Sequence, residues 1–199
     1  MLGLTTSVPD NERLAMLHDS AQRMLNLVLN ILDINKYEDS KLELKFSRND
    51  INDLIKSVTR DIGTALNFKQ LKVNLNLQDD LVFSFDKDII RRVLDNILNN
   101  AIKFSPTNET IHISSERNNN NVRITIRNMG QPIPVEMQEA IFEPYGRVDR
   151  KENETSIKST GLGLTFCKMA VMEHSGTIGV ESSPDNPTDF WFELPYRTE

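Results

Sequence analysis

Only one cysteine, Cys167, occurs among the 199 residues, which excludes an internal disulfide framework and favours a reducing compartment. No uninterrupted apolar run approaches the roughly 18 residues that a membrane-spanning helix requires. The N-terminus also lacks the basic-then-apolar order of a secretory signal peptide. We therefore expect a cytoplasmic chain, and a membrane anchor or sensor region of the parent protein would lie in a segment outside it.

Positive charge is scarce as well, because 23 lysines and arginines stand against 29 aspartates and glutamates, giving a net charge of −6. A general nucleic-acid binder would carry a basic excess, so that class of protein is disfavoured. An anionic ligand would have to be met by a local cluster of cations. The hydrophobic fraction of 38% and the charged fraction of 26% are typical of a globular protein, and the length suffices for one domain plus an appendage.

Residues 11–37 are predicted to form one long amphipathic helix. Apolar side chains recur there every three or four residues, which is the spacing of a helix-packing seam. The apolar stripe is too broad for a helix that only rests on one domain, so it predicts partner helices. We assign residues 1–40 to part of a stalk or dimerisation region, truncated here or completed by a second copy. The seam consists of Leu14, Leu17, Ala21, Met24, Val28 and Ile31.

From residue 41 to residue 199 the pattern changes to a compact domain. Alternating apolar and polar residues predict strands, and helical spacing after a capping residue predicts helices. The expected fold class is α+β: a two-layer α/β sandwich with a mixed, largely antiparallel sheet and helices on one face, preceded by the long amphipathic helix. Strands are predicted at 42–46, 72–77, 81–85, 110–116, 121–127, 177–181 and 190–194. Helices are predicted from Asn49 or Asp50 to about Ala65, after Asp86, at 135–141 and at 161–174.

The helix after Asp86 carries a polar stripe beside its apolar one. Asn96, Asn100 and Lys103 are spaced at i, i+4 and i+7, so they share one face. Buried amides need hydrogen-bond partners, and this group could hold a hydrated divalent cation with the phosphates that it bridges. On these three residues alone, a solvated polar face remains the alternative. The apolar stripe consists of Ile90, Val93, Leu94, Ile97, Ala101 and Phe104.

The segment 143–159 is charged, polar and without periodicity, and an unstructured loop of this length inside a compact domain is usually functional. Gly161-Leu162-Gly163 follows it at a predicted helix start. Backbone N–H groups and the positive end of the helix dipole can bind phosphate at such a point. A simple turn or helix start is the alternative for a single Gly-x-Gly. The local cations of the loop are Arg147, Arg150, Lys151 and Lys158.

Five motifs in this order resemble the ATP-binding domain of sensor histidine kinases, within the wider group of the gyrase, Hsp90 and MutL ATPases. Residues 96–104 (Asn-x-x-x-Asn-Ala-x-Lys-Phe) resemble the N box, and residues 128–133 resemble the first glycine box. Residues 142–144 resemble the F box, residues 160–164 the second glycine box, and residues 175–192 the closing strands. The resemblance covers residues 41–195, and the first helix is similar to the second helix of the family's dimerisation domain.

This resemblance implies that the chain binds ATP and Mg²⁺. Asn100 would ligate the metal ion with assistance from Asn96. Lys103 would contact phosphate, and Arg147 would reach the γ-phosphate. These roles make Asn100, Lys103 and Arg147 the implied catalytic residues. The other implied nucleotide contacts are Phe104, Asn128, Gly130, Ile133, Thr160, Gly161, Leu162, Gly163, Leu164 and Thr188.

Three positions depart from the family pattern. Asn128 replaces an Asp that accepts a hydrogen bond from the adenine amino group, so an acceptor oxygen remains but the charge is lost. Pro132 replaces a glycine, and Arg92 stands where Glu or Gln is frequent and cannot act as a base. These departures keep open a pseudokinase that senses nucleotide or acts as a scaffold. A relative that hydrolyses ATP to drive a conformational change is a third hypothesis.

The function implied by the resemblance is transfer of the ATP γ-phosphoryl group to a histidine, followed by relay to an aspartate of a response-regulator receiver domain, within a homodimer formed by the stalk helices. His112 and His174 fit structural roles in a strand and at a helix end. His18 is followed by an acid, as an acceptor would be, but no room exists between Tyr37 and residue 41 for a second antiparallel helix. We therefore expect the acceptor upstream of Met1.

Overall fold

The computed structural model describes Met24, residues 43–146 and residues 161–197. Met24 is helical, and the rest of the predicted stalk helix, with His18, lies outside the described residues, as do Arg147 and Thr160. No helix in the described ranges is long and apolar enough to cross a bilayer. The helices are α1 (Ile51–Asp61), α2 (Gly63–Phe68), α3 (Lys87–Phe104) and α4 (Gly163–Glu173). The strands are β1 (Ser47–Asp50), β2 (Lys72–Leu77), β3 (Val82–Phe85), β4 (Thr110–Asn118), β5 (Asn121–Asn128), β6 (Thr177–Ser183) and β7 (Asn186–Pro195).

The main sheet has five strands in the order β2-β4-β5-β7-β6. β2 and β4 are parallel, and the other three pairings are antiparallel. β1 and β3 form a separate antiparallel pair. This architecture confirms the predicted mixed, largely antiparallel sheet of an α+β protein.

Strict alternation along the central strands builds the core on one face of the sheet. In β5, Val122, Ile124 and Ile126 are fully buried, whereas the residues between them are partly exposed. The helices α1, α3 and α4 contribute the opposing apolar layer, because their buried stripes belong to the same cluster. The largest fully buried side chains include Phe83, Phe85, Phe166, Phe192, Ile51, Ile90, Leu94 and Ile97.

The other face of the sheet carries polar and charged side chains together with the single tryptophan. Trp191 alternates outward from the buried Phe190 and Phe192. The Arg123 guanidinium stacks 4.1 Å from its ring centroid, and a methyl group added at Gly179 would lie 2.6 Å from Trp191 Cζ2. The indole is therefore enclosed between an arginine and a glycine of the neighbouring strands.

Both predicted aspartate caps are confirmed. The Asp50 carboxylate accepts hydrogen bonds from the backbone N–H groups of Asn52 and Asp53 at the start of α1. The Asp86 carboxylate accepts from the N–H groups of Asp88 and Ile89 at the start of α3. These bonds satisfy donors that have no partner within a helix, so each aspartate marks where its helix begins.

The predicted strand at 42–46 is wrong within the described part of that range, because residues 43–46 are not in a strand and pairing begins at Ser47. Ser47 lies opposite Phe85, the last residue of β3. The next residue, Asp86, turns into α3 and accepts a hydrogen bond from Lys45 N at 2.7 Å through its carboxylate. A side chain therefore replaces the backbone ladder at this point.

Three predicted helix boundaries also differ. The helix after Asp50 ends at Asp61, and α2 begins separately at Gly63. The predicted helix at 135–141 consists of two 3₁₀ turns, Val135–Met137 and Ala140–Phe142, which are closed by i to i+3 bonds such as Met137 N to Pro134 O. α4 begins at Gly163 because Gly161 has φ of +73°, outside the α-helical region. The remaining predicted strands and helices are confirmed to within a few residues.

Candidate functional site

The two stripes predicted on α3 are present side by side. Ile90, Val93, Leu94, Ile97 and Ala101 are completely buried in the core. Asn96, Asn100 and Lys103 are half-buried along the adjacent edge of the helix. Half-burial places the amides at the rim of the core, where side-chain oxygens can still reach a ligand.

The amide stripe is held by contacts along α3. Asn96 Nδ2 donates to the carbonyl oxygen of Arg92 one turn earlier at 2.9 Å, which directs the Asn96 side chain along the helix. At the C-terminal end, Lys69 Nζ donates to the carbonyl oxygens of Ile102 and Lys103 at 2.9 and 2.7 Å. A cation at a helix C-terminus is favourable because carbonyl groups there lack helical partners. The turn that carries Lys103 is therefore fixed from outside the helix.

The start of α4 approaches this stripe closely because two glycines allow it. A methyl group added at Gly163 would lie 2.7 Å from Asn96 Oδ1, which is closer than real contacts allow. Gly161 has a positive φ, and a methyl group there would lie 2.8 Å from Tyr145 Cα. No side chain caps the first turn of α4. The positive end of the helix therefore faces the amide stripe without a carboxylate of its own.

The end of β5 lies at the other side of the same region. Asn128 and Thr188 are opposite each other in the β5–β7 register and are 2% and 3% exposed. A methyl group added at Gly130 would lie 2.7 Å from Asn128 Nδ2 and 2.9 Å from the Phe104 carbonyl oxygen. The first glycine box therefore packs directly against the last turn of α3, and α3 contributes to both ends of the site.

Four hydrogen-bonded residues, Ile133, Gln138, Ser182 and Thr188, form a wall that completes this end of the site. Ile133 N donates to Ser182 Oγ at 3.0 Å, and Ser182 Oγ lies 2.7 Å from Thr188 Oγ1. Gln138 Nε2 donates to the carbonyl oxygens of Ile133 and Ser182. No motif in the sequence assigned a role to Ser182 or Gln138. Their contacts join segments about 45 residues apart in the chain, and no local pattern reveals such a pairing.

Arg92, one of the departures from the family pattern, has a packing role. Its guanidinium lies 4.0 Å from the centroid of the Phe166 ring in α4, a cation–π contact between the two helices of the site. Cys167 is also part of the packing, because it is fully buried with Sγ 3.7 Å from the Val93 carbonyl oxygen. Burial raises the pKa of the Cys167 thiol, which keeps it protonated and disfavours a nucleophilic role.

The chemistry of the site suits an oxygen-liganded ion that arrives with an anionic ligand. Among the described residues, no group of three or more His, Cys, Asp or Glu side chains could hold a metal ion. Asn96 and Asn100 offer neutral amide oxygens, which are ligands for a hard cation such as Mg²⁺, and phosphate oxygens would complete its coordination. Gly161 and Gly163 let the backbone at the start of α4 approach Tyr145 and Asn96 more closely than side chains would allow, and backbone N–H groups at a helix start are suited to phosphate. The residues present therefore fit a nucleotide with a divalent cation.

The structure brings most of the predicted site residues together from three elements: α3, the end of β5 with its glycine box, and the start of α4. Arg147 and Thr160 lie outside the described residues. His112 is exposed on β4, and His174 is buried at the end of α4, so neither contributes to the site.

Comparison with known families gives one match that covers more than half of the chain. Residues 85–198 match the family described as histidine kinase-, DNA gyrase B-, and HSP90-like ATPase. The matched range begins just before α3 and includes the amide stripe, both glycine boxes and the β6–β7 pair. Most of the candidate site therefore falls inside the matched range.

The similar proteins and structures include several sensory kinases. The adaptive-response sensory kinase SasA of Gloeothece citriformis is 31% identical over 205 residues, which cover 98% of this chain and 51% of that protein. The catalytic domain of histidine kinase ThkA is similar in structure, with a TM-score of 0.67, 30% identity, and coverage of 78% of this chain and 99% of that chain. ThkA in complex with the response regulator protein TrrA has a TM-score of 0.75 and 27% identity over 98% of this chain and 53% of that chain. The chain thus spans about half the length of the first of these relatives.

Proposed function

Because the chain belongs to the histidine kinase-, DNA gyrase B-, and HSP90-like ATPase family, we propose that it is the ATP-binding kinase region of a two-component sensor histidine kinase. The observation that carries this proposal is the close approach of Gly163 in α4 to the Asn96 amide in α3. It brings an uncapped helix start, suited to phosphate, next to amide oxygens suited to a divalent cation.

At the phosphate end, Asn100 and Asn96 would hold Mg²⁺, and Lys103 would neutralise phosphate charge. The backbone of Gly161, Leu162, Gly163 and Leu164 approaches the phosphates, and Arg147 and Thr160 are proposed to contact them from the segment outside the described residues. Bound Mg-ATP supplies the γ-phosphoryl group that is transferred to a histidine nitrogen. The protein contributes positioning and charge neutralisation rather than covalent chemistry.

At the base end, Asn128 accepts a hydrogen bond from the adenine amino group. Phe104, Gly130 and Ile133 shape the slot around the base, and Thr188 lies beside Asn128 across the β5–β7 pair. The Asn128 side chain is almost completely buried, so its hydrogen bond to a base is formed away from water and is strong for a neutral pair.

Residues 1–40 are proposed to be part of a dimerisation stalk, and residues 41–199 the ATP-binding domain. The acceptor histidine lies on the preceding helix of the stalk, upstream of Met1, and the phosphoryl group passes from it to a receiver-domain aspartate. The similarity to a histidine kinase solved with its response regulator supports a partner of this class. The pseudokinase alternative gains no specific support, because the similar proteins are named as sensory kinases. Arg92, one of the three departures, packs on Phe166.

Titration with Mg-ATP tests the site, and the chain offers a matched pair of variants. Asn100→Asp places a carboxylate in the proposed metal and phosphate edge, whereas Asn99→Asp makes the same change on an exposed position of the same helix. We expect the first variant to weaken Mg-ATP binding by at least about tenfold, because a carboxylate repels phosphate, and the second to bind normally. No binding by the unaltered chain at millimolar nucleotide would overturn the proposed function.

Phosphoryl transfer is tested with radiolabelled ATP. In the parent protein with its complete stalk, we expect Asn100→Asp to abolish acid-labile labelling and Asn99→Asp to leave it intact. The present chain alone should remain unlabelled. Labelling of this chain that disappears in His18→Gln would show that the acceptor has been assigned to the wrong helix.

A further inference from the structure

Ser182 in β6 directs its side chain into the base end of the site. Ile178 and Val180 pack against the core, and by strand alternation Ser182 points to the same face. Glu181 lies opposite Asp189 in β7, but Ser183 lies opposite Asn186, so β7 has one more residue than β6 between these two pairs. This β-bulge in β7 lies across from Ser182. Ser182 is 9% exposed, between the exposed Glu181 and the half-buried Ser183.

The Ser182 hydroxyl connects Ile133 and Thr188, the two residues proposed to lie beside the base. It accepts a hydrogen bond from Ile133 N at 3.0 Å, and this leaves its proton available for Thr188 Oγ1, 2.7 Å away. Ile133 and Thr188 are 9% and 3% exposed. One buried hydroxyl thus fixes an apolar wall residue and a polar residue relative to each other.

Gln138 fixes the same wall from a third segment. Its Nε2 donates to the Ser182 carbonyl oxygen at 2.7 Å and to the Ile133 carbonyl oxygen at 3.1 Å. Both amide protons are therefore used, one on β6 and one on the last residue of the first glycine box. Gln138 joins the two segments that Ser182 also joins, so the wall is held at two points.

Such support matters because Asn128 does not by itself select a base. An asparagine side chain has both an acceptor oxygen and a donor nitrogen. It can meet the donor amino group of adenine or, after rotation of the amide, the acceptor oxygen of guanine. A carboxylate, which only accepts, would reject guanine at the same position. Selectivity must then depend on the groups around Asn128.

We propose that Ser182 and Gln138 are positioning residues that hold Ile133 and Thr188 in place and so give this site its preference for adenine over guanine. The inference rests on the proposed function, since it assumes that the base end of the site receives a nucleotide. Neither residue touches the base. They act by keeping the Ile133 side chain and the Thr188 hydroxyl at fixed positions beside Asn128.

The test uses one isosteric substitution at two glutamines. Gln138→Glu keeps the shape of the side chain but removes the two donated hydrogen bonds. Gln78→Glu is the matched control, because Gln78 Oε1 accepts from Arg117 N at 2.9 Å and a carboxylate preserves that bond. Affinities for Mg-ATP, Mg-GTP and Mg-tripolyphosphate are measured by calorimetry or by displacement of a fluorescent ATP analogue. Ser182→Ala provides a second variant that adds no charge.

We expect Gln138→Glu and Ser182→Ala to lower ATP affinity by about fivefold to tenfold, which corresponds to the loss of one or two hydrogen bonds. The ratio of ATP to GTP affinity should fall, and tripolyphosphate binding should not change. Gln78→Glu should have the same affinities as the unaltered chain for ATP, GTP and tripolyphosphate.

An unchanged ratio of ATP to GTP affinity in both variants would overturn the inference and leave the proposed function standing. An equal loss of affinity for ATP and for tripolyphosphate would also overturn the inference, because it would indicate general loosening of the site or the effect of added negative charge. Failure of the unaltered chain to bind ATP would remove the proposed function and this inference together.

Discussion

At the scale of single residues, His174 joins the ends of the two helices that form the site. It is 2% exposed, its Nε2 accepts from Asp86 N at 3.1 Å, and Nδ1 lies 2.7 Å from the Ala170 carbonyl oxygen. Because Nε2 is an acceptor, the ring is neutral and Nδ1 carries the proton. The histidine therefore links the cap of α3 to the last turn of α4 only in its uncharged form.

Burial lowers the pKa of His174 below its ordinary value of 6.5, although the Ala170 carbonyl oxygen, Asp86 and Glu173 oppose the shift and Arg197 adds to it. A lowered pKa in the folded state means that the unfolded chain binds the proton first as the pH falls. The contribution of neutral His174 to the stability of the folded state is thus complete above about pH 6.5 and is lost as the pH falls through the folded-state pKa.

We expect the unaltered chain to lose thermal stability as the pH falls from about 6.5 to about 5, before most carboxylates titrate. His174→Gln should be less stable at the higher pH and should lose less on acidification. His112→Gln, at the exposed histidine of β4, should behave as the unaltered chain does. Melting followed by circular dichroism measures all three, and equal acid sensitivity of His174→Gln and the unaltered chain would contradict the assignment.

At the scale of elements, the contact that forms the phosphate end of the proposed site is between the start of α4 and the side of α3. The two helices approach at Gly163, where a side chain would displace the Asn96 amide. Arg92 against Phe166 and Cys167 against Val93 hold them together beyond this point. The helix pair can therefore remain packed while the amide of Asn96 is moved, so ligand binding and stability can be separated by experiment.

Gly163→Ala is expected to weaken Mg-ATP binding by about tenfold while changing the free energy of unfolding by no more than about 1 kcal/mol. The added methyl group displaces the flexible Asn96 side chain, and alanine is otherwise favourable in a helix. Gly63→Ala is the control, since nothing lies within 4 Å of a methyl group at that helix start. Normal ATP affinity in Gly163→Ala would show that the Asn96 amide does not contribute to binding.

At the scale of the whole molecule, the described residues form one compact α/β body to which the predicted stalk is joined through residues 43–46. Lys45 N binds the Asp86 carboxylate, and the Phe46 ring lies 5.3 Å from the His174 ring. The connection to the N-terminal region is thus fixed at the point where α3 begins and α4 ends.

Self-association tests the stalk. We expect the complete chain to be a dimer by light scattering at tens of micromolar concentration, because the broad apolar stripe of residues 11–37 needs a partner helix. Removal of residues 1–40 should give a monomer that still binds Mg-ATP. A complete chain that stays monomeric at millimolar concentration would contradict the proposed role of residues 1–40.

The sequence predicted the features that depend on local periodicity and capping. Asp50 and Asp86 marked two helix starts, and the spacing of α3 separated its buried stripe from its amide stripe. The sequence did not predict which residues pair with β3. Residues 42–46 and 47–50 can both be extended, and only the contact with the partner strand decides between them. The hydrogen bonds that join Ser182 to Ile133 and Gln138 depend on contacts distant in sequence, and the resemblance to a family could not assign them.

The enclosure of Trp191 has a spectroscopic consequence. It is the only tryptophan in the chain, so intrinsic fluorescence excited at the red edge of the absorption band reports on this one indole. The ring lies between Arg123 and Gly179 on the face of the sheet opposite the helices, and its emission should change when β5, β6 and β7 separate. The proposed nucleotide site lies on the other face. The same signal can therefore follow unfolding of the sheet at any nucleotide concentration without reporting occupancy of the site.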